Sequence, residues 1–366
     1  MAHIQDRRKV GRGWVARYRA PDGKERTKAF KKKSDAENFL TTQEARKLRG
    51  EWVDPARGKM TFREWQATWW KTTVNLRPTT RVRDESYTNK HVLPRFGDIP
   101  LNKITQEDVR IWVAKLSESG LAASTVRLIY ACLARPMAAA VDASRLPISP
   151  CRRIPLPKIE RKEMRFLGPD QISQLAEAAR DHHYSTFIFT AAYVGLRWGE
   201  LTGLRLSKVD PLRRTIRVDE QLVEVKGDLS FGPPKSAAGR RTVTMPRFIA
   251  EMVGAAMGTK EAKKSGLVFP SPKGEPMRRG NFRRRVWLPA VEASELDDLR
   301  FHDLRHTAVA LAIAQGAHPK AIQERMGHSS VSMTMDRYGH LFPSLEGKIA
   351  DGLDDLYAAS LSSLTG

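Results

Sequence analysis

The chain has 366 residues, of which 63 are Lys or Arg and 41 are Asp or Glu, a formal net charge of +22. That length accommodates two or three domains, and the charge argues for a polyanionic partner, nucleic acid above all, because each neutralised phosphate releases counterions. Two cysteines, Cys132 and Cys151, exclude a disulfide framework or a cysteine zinc site and read as buried small hydrophobes. No apolar run reaches the ~18 residues of a membrane span, and MAHIQDRRKVGRGW has no apolar signal core, so a cytoplasmic location is expected.

From residue 1 to 58 basic side chains outnumber acidic ones about two to one. GWVARYRA (Gly13 to Ala20) alternates as a strand, PDGK (Pro21 to Lys24) supplies a turn, and ERTKAF continues as a second strand. Ser34 and Glu37 fit a capping box that opens a helix. The expectation is a strand–strand–helix module whose basic, aromatic sheet suits a DNA groove, with a solvated basic extension as the alternative.

Residues 60–155 read as nearly all helix. Phe62, Trp65, Trp69 and Trp70 recur at helical spacing, as a core stripe rather than a stacking platform. A second helix follows Pro78, a third is capped by Thr105 and Asp108, and AASTVRLIYACLARPMAAAVDAS forms a fourth that Pro136 should kink or break. Arg77, Arg81, Arg83 and Lys90 either line a DNA-facing side or are simply solvated. The Pro-rich, basic run LPISPCRRIPLPKIERKE marks the next boundary.

Residues 165–345 mix helices with a strand-rich patch running from TIRVDEQLVEVKGD to LSFGPPKSAAGRRTVTMP, with turn residues at Gly227, Asp228 and Gly239. The acidic, weakly amphipathic tail, residues 346–366, folds either onto its own domain or onto a neighbour. The fold class is therefore mainly α with small β elements, α+β.

The chemistry gathers near the C-terminus. FHDLRHTAVALAIAQG (Phe301 to Gly316), MGHSS (Met326 to Ser330) and DRYGHL (Asp336 to Leu341) place His302, Arg305, His328 and Tyr338 within 37 residues. Arg197 lies upstream in AAYVGLRWGEL. Helical spacing puts His302, Arg305 and His306 on one face. Two histidines four apart also suit zinc, but the acid here is Asp303 and Arg305 would set a fixed positive charge beside the ion. Taken singly, each histidine could be a packed core residue. Together, two guanidiniums, two imidazoles and a phenol are what metal-free attack on a phosphodiester requires.

In combination these residues resemble the tyrosine recombinases, specifically the phage-type integrases, along almost the whole chain. AAYVGLRWGELTGLRLSKVD resembles the first arginine box, PPKSAAGRRTV the lysine hairpin, and HDLRHT through MGHSS to DRYGHL the second box. TFREW, VLPRFGDIPLNKIT and STVRLIYACL resemble the SAM-like core-binding domain, and the N-terminal module an arm-binding domain. The implied organisation is an arm-binding domain over 1–58, a helical core-binding domain over 60–155, a mixed α+β catalytic domain over 165–345 and a tail over 346–366, with packing in trans as one of its two options.

The resemblance also implies roles. Tyr338 would be the nucleophile, giving a 3′-phosphotyrosine, with Arg197 and Arg305 holding the non-bridging oxygens in bidentate contacts. Lys235 would protonate the departing 5′-oxygen, His302 would assist proton transfer at the tyrosine, and His328 would hydrogen-bond the phosphate. Glu200 would orient a catalytic side chain, His306 would pack or act indirectly, and Tyr357 is discounted for its acidic setting. No metal, ATP or other cofactor is called for. Implied partners are double-stranded attachment sites and three further protomers in a tetramer on DNA, with a host DNA-bending protein and an excision factor as accessory candidates. The setting would be the nucleoid of a bacterial host. A resolvase or transposon recombinase of the same chemistry, and a non-catalytic DNA-binding protein of this fold, are the alternatives.

Overall fold

The computed structural model describes residues 2–10, 13–21, 23–48, 57–160, 164–343 and 350–355. They fall into two compact units, divided at Arg161.

The first unit begins with an antiparallel sheet of three strands, β1 (His3–Asp6), β2 (Trp14–Arg19) and β3 (Glu25–Phe30), in the order β1-β2-β3. Alternation exposes β2 and β3 in the sequence, but β1 carries one large apolar residue, Ile4, in HIQD and shows itself only through its pairing, His3 opposite Arg17. The helix α1 (Lys33–Leu48) lies on this sheet and closes a small core of Ala16, Tyr18, Ala36 and Leu40. It starts at Lys33, so Ser34 sits inside the first turn and is not the expected cap residue.

Five helices follow: α2 (Phe62–Thr72), α3 (Pro78–Tyr87), α4 (Leu93–Phe96), α5 (Gln106–Glu118) and α6 (Ala123–Asp142). Thr61 and Glu64 box the start of α2, and Thr105 and Asp108 box α5 as the sequence indicates, each pair satisfying two backbone donors that helix geometry orphans. Phe62 and Trp65 enter a core with Phe96, Trp112, Ile129 and Leu133, whereas Trp69 and Trp70 stack half-buried at 5.3 Å. The expected break at Pro136 does not occur, because α6 runs through it. The buried indole of Trp65 donates to the Pro136 carbonyl at 2.7 Å, tying the proline to α2. An unpartnered indole N–H there would cost about 1–3 kcal/mol. Of the four basic residues in question, Arg81 and Arg83 engage Glu85 and Asp84 at 3.2 and 2.7 Å.

The second unit is built on α7 (Pro169–Ala178), α8 (His182–Val194) and the short α9 (Trp198–Thr202). Strands β4 (Val209–Asp210), β5 (Thr215–Val218), β6 (Gln221–Val225), β7 (Asp228–Gly232) and β8 (Arg241–Thr244) follow, then α10 (Arg247–Met257), α11 (Lys260–Ser265), α12 (Arg279–Phe282) and α13 (Leu288–Ala293). The unit closes with α14 (Asp303–Ala314), α15 (Pro319–Met326) and α16 (Val331–Tyr338). Helix α8 is buried nearly all round, and Phe187 on it meets Phe269, Phe282 and Phe301 with centroids 5.2 to 5.3 Å apart. The strands form two sheets, β4-β5-β8 and β6-β7. Lys235 therefore lies on a link between sheets, since the strands on either side of it, β7 and β8, do not pair with each other. Gly227 makes the β6–β7 turn as expected, but Asp228 opens β7 and Gly239 ends a short 3-10 turn. Among the described residues no helix is long and apolar enough to cross a membrane.

Candidate active site

Two helix ends set the frame. Helix α8 stops at Gly195 and α15 at Gly327, both left-handed, with φ of 76° and 63°. Glycine takes that backbone without strain and so ends each helix. A Cβ at Gly327 would lie 2.7 Å from the Ala238 carbonyl oxygen, so this glycine also lets the link bearing Lys235 pack beside His328.

Arg305, on α14 and 4% exposed, spans the two ends. Its Nη1 donates to the Gly195 carbonyl and its Nη2 to that of Met326. Burial, then the neighbouring Arg197 guanidinium, pull its pKa below the usual arginine value. Arg197 precedes α9, and its Nη2 donates to the Gly327 carbonyl at 3.1 Å. Helix C-termini carry partial negative charge, and both arginines are drawn there.

Glu200 holds Arg197 in place. Its carboxylate, 2% exposed, accepts from the Arg197 backbone N–H at 2.9 Å and from Nη1 at 2.7 Å. It also takes two bonds from Arg241, at 3.2 and 3.0 Å. Burial alone would raise its pKa; the hydrogen bonds and charge of Arg241, then the charge of Arg197, outweigh that and bring it down to about 2. Arg241 further donates to the carbonyls of Arg325 and Gly239, linking the Lys235 segment to α15. Two guanidiniums thus bond one carboxylate and the charge of a third, Arg305, lies close to it, leaving excess positive charge suited to an anion.

The remaining candidates separate by environment. His328 is buried, with Nδ1 2.9 Å from the Thr334 hydroxyl; burial and then Arg305 hold its pKa down to about 4. Tyr338 ends α16 and is 1% exposed, and burial raises its pKa. Its hydroxyl lies 2.5 Å from Nδ1 of His306. His302 instead caps α14 from an exposed position and meets His306 edge-on, centroids 5.1 Å apart, without bonding to the phenol. Partial desolvation, then Arg305, keep its pKa below the usual imidazole value. Lys235 is exposed on its link. The structure so brings Arg197, Arg305, His328 and Tyr338 around the Met326–His328 turn and the C-terminal helices.

The sequence does not mark two residues for the parts they play. Its pattern leaves His306 to pack or act indirectly, yet it is the imidazole on the phenol. Arg241 looks like one cation among many in GRRTV; only its near-complete burial distinguishes it. Among the described residues no cluster of three metal-ligating side chains occurs. Tyr357 lies outside the described residues, as does most of the tail.

Comparison with known proteins bears on this geometry. The phage integrase family model matches residues 165–344, and the phage integrase N-terminal SAM-like domain matches residues 61–117. The chain is 30% identical over 379 residues to the putative prophage phiRv2 integrase of Mycobacterium tuberculosis, across 98% of this chain and 97% of that protein. It is 28% identical over 294 residues to the ICEBs1 integrase of Bacillus subtilis, across 77% and 79% of the two chains. Among solved structures, the Tn1549 transposon integrase in complex with transposon right end DNA matches with a TM-score of 0.67 at 23% identity, over 80% of this chain and 98% of that one. A lambda integrase dimer bound to a COC′ core site matches with a TM-score of 0.59 at 19% identity, over 91% and 93%. Those two likenesses speak for the fold. The match along nearly the full length of the mycobacterial relative decides the family, and the chain belongs to the phage integrase family of tyrosine-type site-specific recombinases.

Proposed function

We propose that this protein integrates a phage or other mobile element into a host chromosome by cutting and rejoining DNA through a 3′-phosphotyrosine. The observation that carries the reading is the pair of guanidiniums at the Met326–His328 turn, Arg197 half-buried and Arg305 buried, with a buried phenol on the adjoining helix. Tyr338 attacks the scissile phosphorus. Arg197 and Arg305 stabilise the charge that grows on the non-bridging oxygens, a contribution of about a hundred- to a thousandfold per donor in comparable sites. His328 hydrogen-bonds the phosphate and Lys235 protonates the leaving 5′-oxygen. His302, at the rim, assists from an exposed position. Because the phosphotyrosine conserves the energy of the broken bond, the 5′-hydroxyl of a second duplex can reseal it without ATP.

In this reading residues 1–58 bind arm sites, 60–155 grip the core site and 165–345 cut, with four protomers exchanging strands through a Holliday junction. A host DNA-bending protein and an excision factor are the accessory partners to test for. The +22 net charge supports a duplex clamp in which phosphate contacts set position and fewer base contacts set sequence. The test incubates the protein with two relaxed DNAs, one joining the ends of the element that carries the gene and one from its chromosomal insertion site, in EDTA. Recombinant joints should form. Nicking and closing without exchange would make it a topoisomerase-like enzyme, and resolution confined to directly repeated, supercoiled sites would make it a resolvase.

A further inference from the structure

We infer that His306 is a catalytic residue: its neutral Nδ1 takes the phenolic proton of Tyr338 as the phenol oxygen bonds to phosphorus. The inference rests on the reading of Tyr338 as the nucleophile and goes beyond it by naming the base.

A buried nucleophile has few places to send its proton. Tyr338 is 1% exposed and His306 5%, so bulk water is not at hand. The phenol hydroxyl lies 2.5 Å from Nδ1 of His306. Its other side-chain hydrogen-bonding neighbour is Arg337, a guanidinium, which only donates. Arg305 acts on the phenol through charge alone and is likewise no acceptor. Among the described residues with a side chain on the oxygen, the imidazole is the one that can accept.

The resting protonation states suit that transfer. Burial pushes the phenol up, while burial and then His302 hold His306 down to about 4, so the proton starts on the tyrosine and the imidazole starts neutral. A neutral imidazole has one acceptor nitrogen. The charged and titratable groups facing His306 are His302 and Asp303 at the start of its own helix, Arg300 just before it, and Arg337 and Tyr338 from α16. As the Oη–P bond forms, the phenolic O–H becomes strongly acidic, and a phosphate dianion in formation raises the basicity of a nearby imidazole, so the transfer turns favourable where the chemistry happens.

The step balances. The Tyr338 oxygen bonds to phosphorus and its proton moves to Nδ1, giving an imidazolium; the P–O5′ bond breaks and the leaving oxygen takes a proton from the general acid. On rejoining, the conjugate base of that general acid takes the proton of an incoming 5′-hydroxyl as its oxygen bonds to phosphorus, and the displaced phenolate recovers its proton from His306.

The experiment measures single-turnover cleavage of a nicked duplex across a pH series, with DNA binding and thermal unfolding recorded for each variant. His306→Ala should bind DNA as before and cleave about a hundredfold or more slowly, with added imidazole restoring part of the rate. His306→Asn keeps a polar acceptor in the space but no base, so it should be equally slow, and both variants should lose the acid limb of the pH–rate profile. His306→Asn cleaving at the parent rate would overturn the inference, as would imidazole rescuing His302→Ala but not His306→Ala. Failure of the underlying reading looks different: an adduct would then persist in Tyr338→Phe.

Discussion

Arg305→Ala is expected to lower the rate of covalent adduct formation by about a thousandfold and to loosen the second unit at the same time. The catalytic part follows from its place: a guanidinium 4% exposed, beside a second guanidinium, offers charge in a setting that water screens poorly. The structural part follows from its two carbonyl partners, Gly195 and Met326, which belong to separate helix ends. Truncation leaves both oxygens without that donor, at about 1–3 kcal/mol each if water cannot replace it. Arg305→Lys separates the two effects. It retains the charge but cannot bridge both carbonyls in one plane, so it should still cleave far more slowly than the parent. Adduct yield on a nicked duplex and urea unfolding measure the two parts; a lysine variant with full activity would show that charge without geometry suffices.

Glu200→Gln is the second large effect, and its signature is pH dependence. The folded-state pKa of Glu200 is about 2 against an ordinary value of 4.5. A depressed carboxylate contributes stability that is fully present above about 4.5 and lost as pH falls toward 2. At about 1.4 kcal/mol per pKa unit, the contribution is about 3 kcal/mol at neutral pH. The neutral amide would also strand Arg241, 6% exposed at its side chain, without its counter-charge, so a loss of this order or somewhat more is expected. Denaturant melts at pH 7 and pH 3 check it: the parent should lose stability in acid, and Glu200→Gln should lose less over the same interval. Parallel losses would remove Glu200 as the buried anchor of Arg197 and Arg241.

The parts of this molecule legible in the sequence are those written in local spacing. The Thr105–Asp108 cap spans four residues, the β2 alternation six, and the run from His302 to Tyr338 is compact enough to suggest one site. What stayed hidden depends on partners distant in sequence. Strand β1 is unremarkable until β2 lies beside it, and Pro136 reads as a breaker although α6 runs through it, its carbonyl held by Trp65, 71 residues away. The same holds within the site. His302 and His306 stand four apart, and spacing places them on one face without saying which of them meets α16. The i+4 position wins because it lies inside the helix and is buried, whereas His302 is the exposed cap. The lysine link misleads for a related reason. A strand–turn–strand pattern suggests one hairpin, but β7 pairs with β6 and β8 with β5, so the turn joins two sheets.

The central claim is that Tyr338 forms the covalent bond to DNA within a site whose arginines supply the positive charge. Its most direct test is mass spectrometry of the protein–DNA adduct trapped on a nicked duplex in EDTA. The account predicts a 3′-phosphotyrosine on the peptide carrying Tyr338, and no adduct from Tyr338→Phe. An adduct mapped to another residue, or one formed only when a divalent metal is supplied, would contradict it.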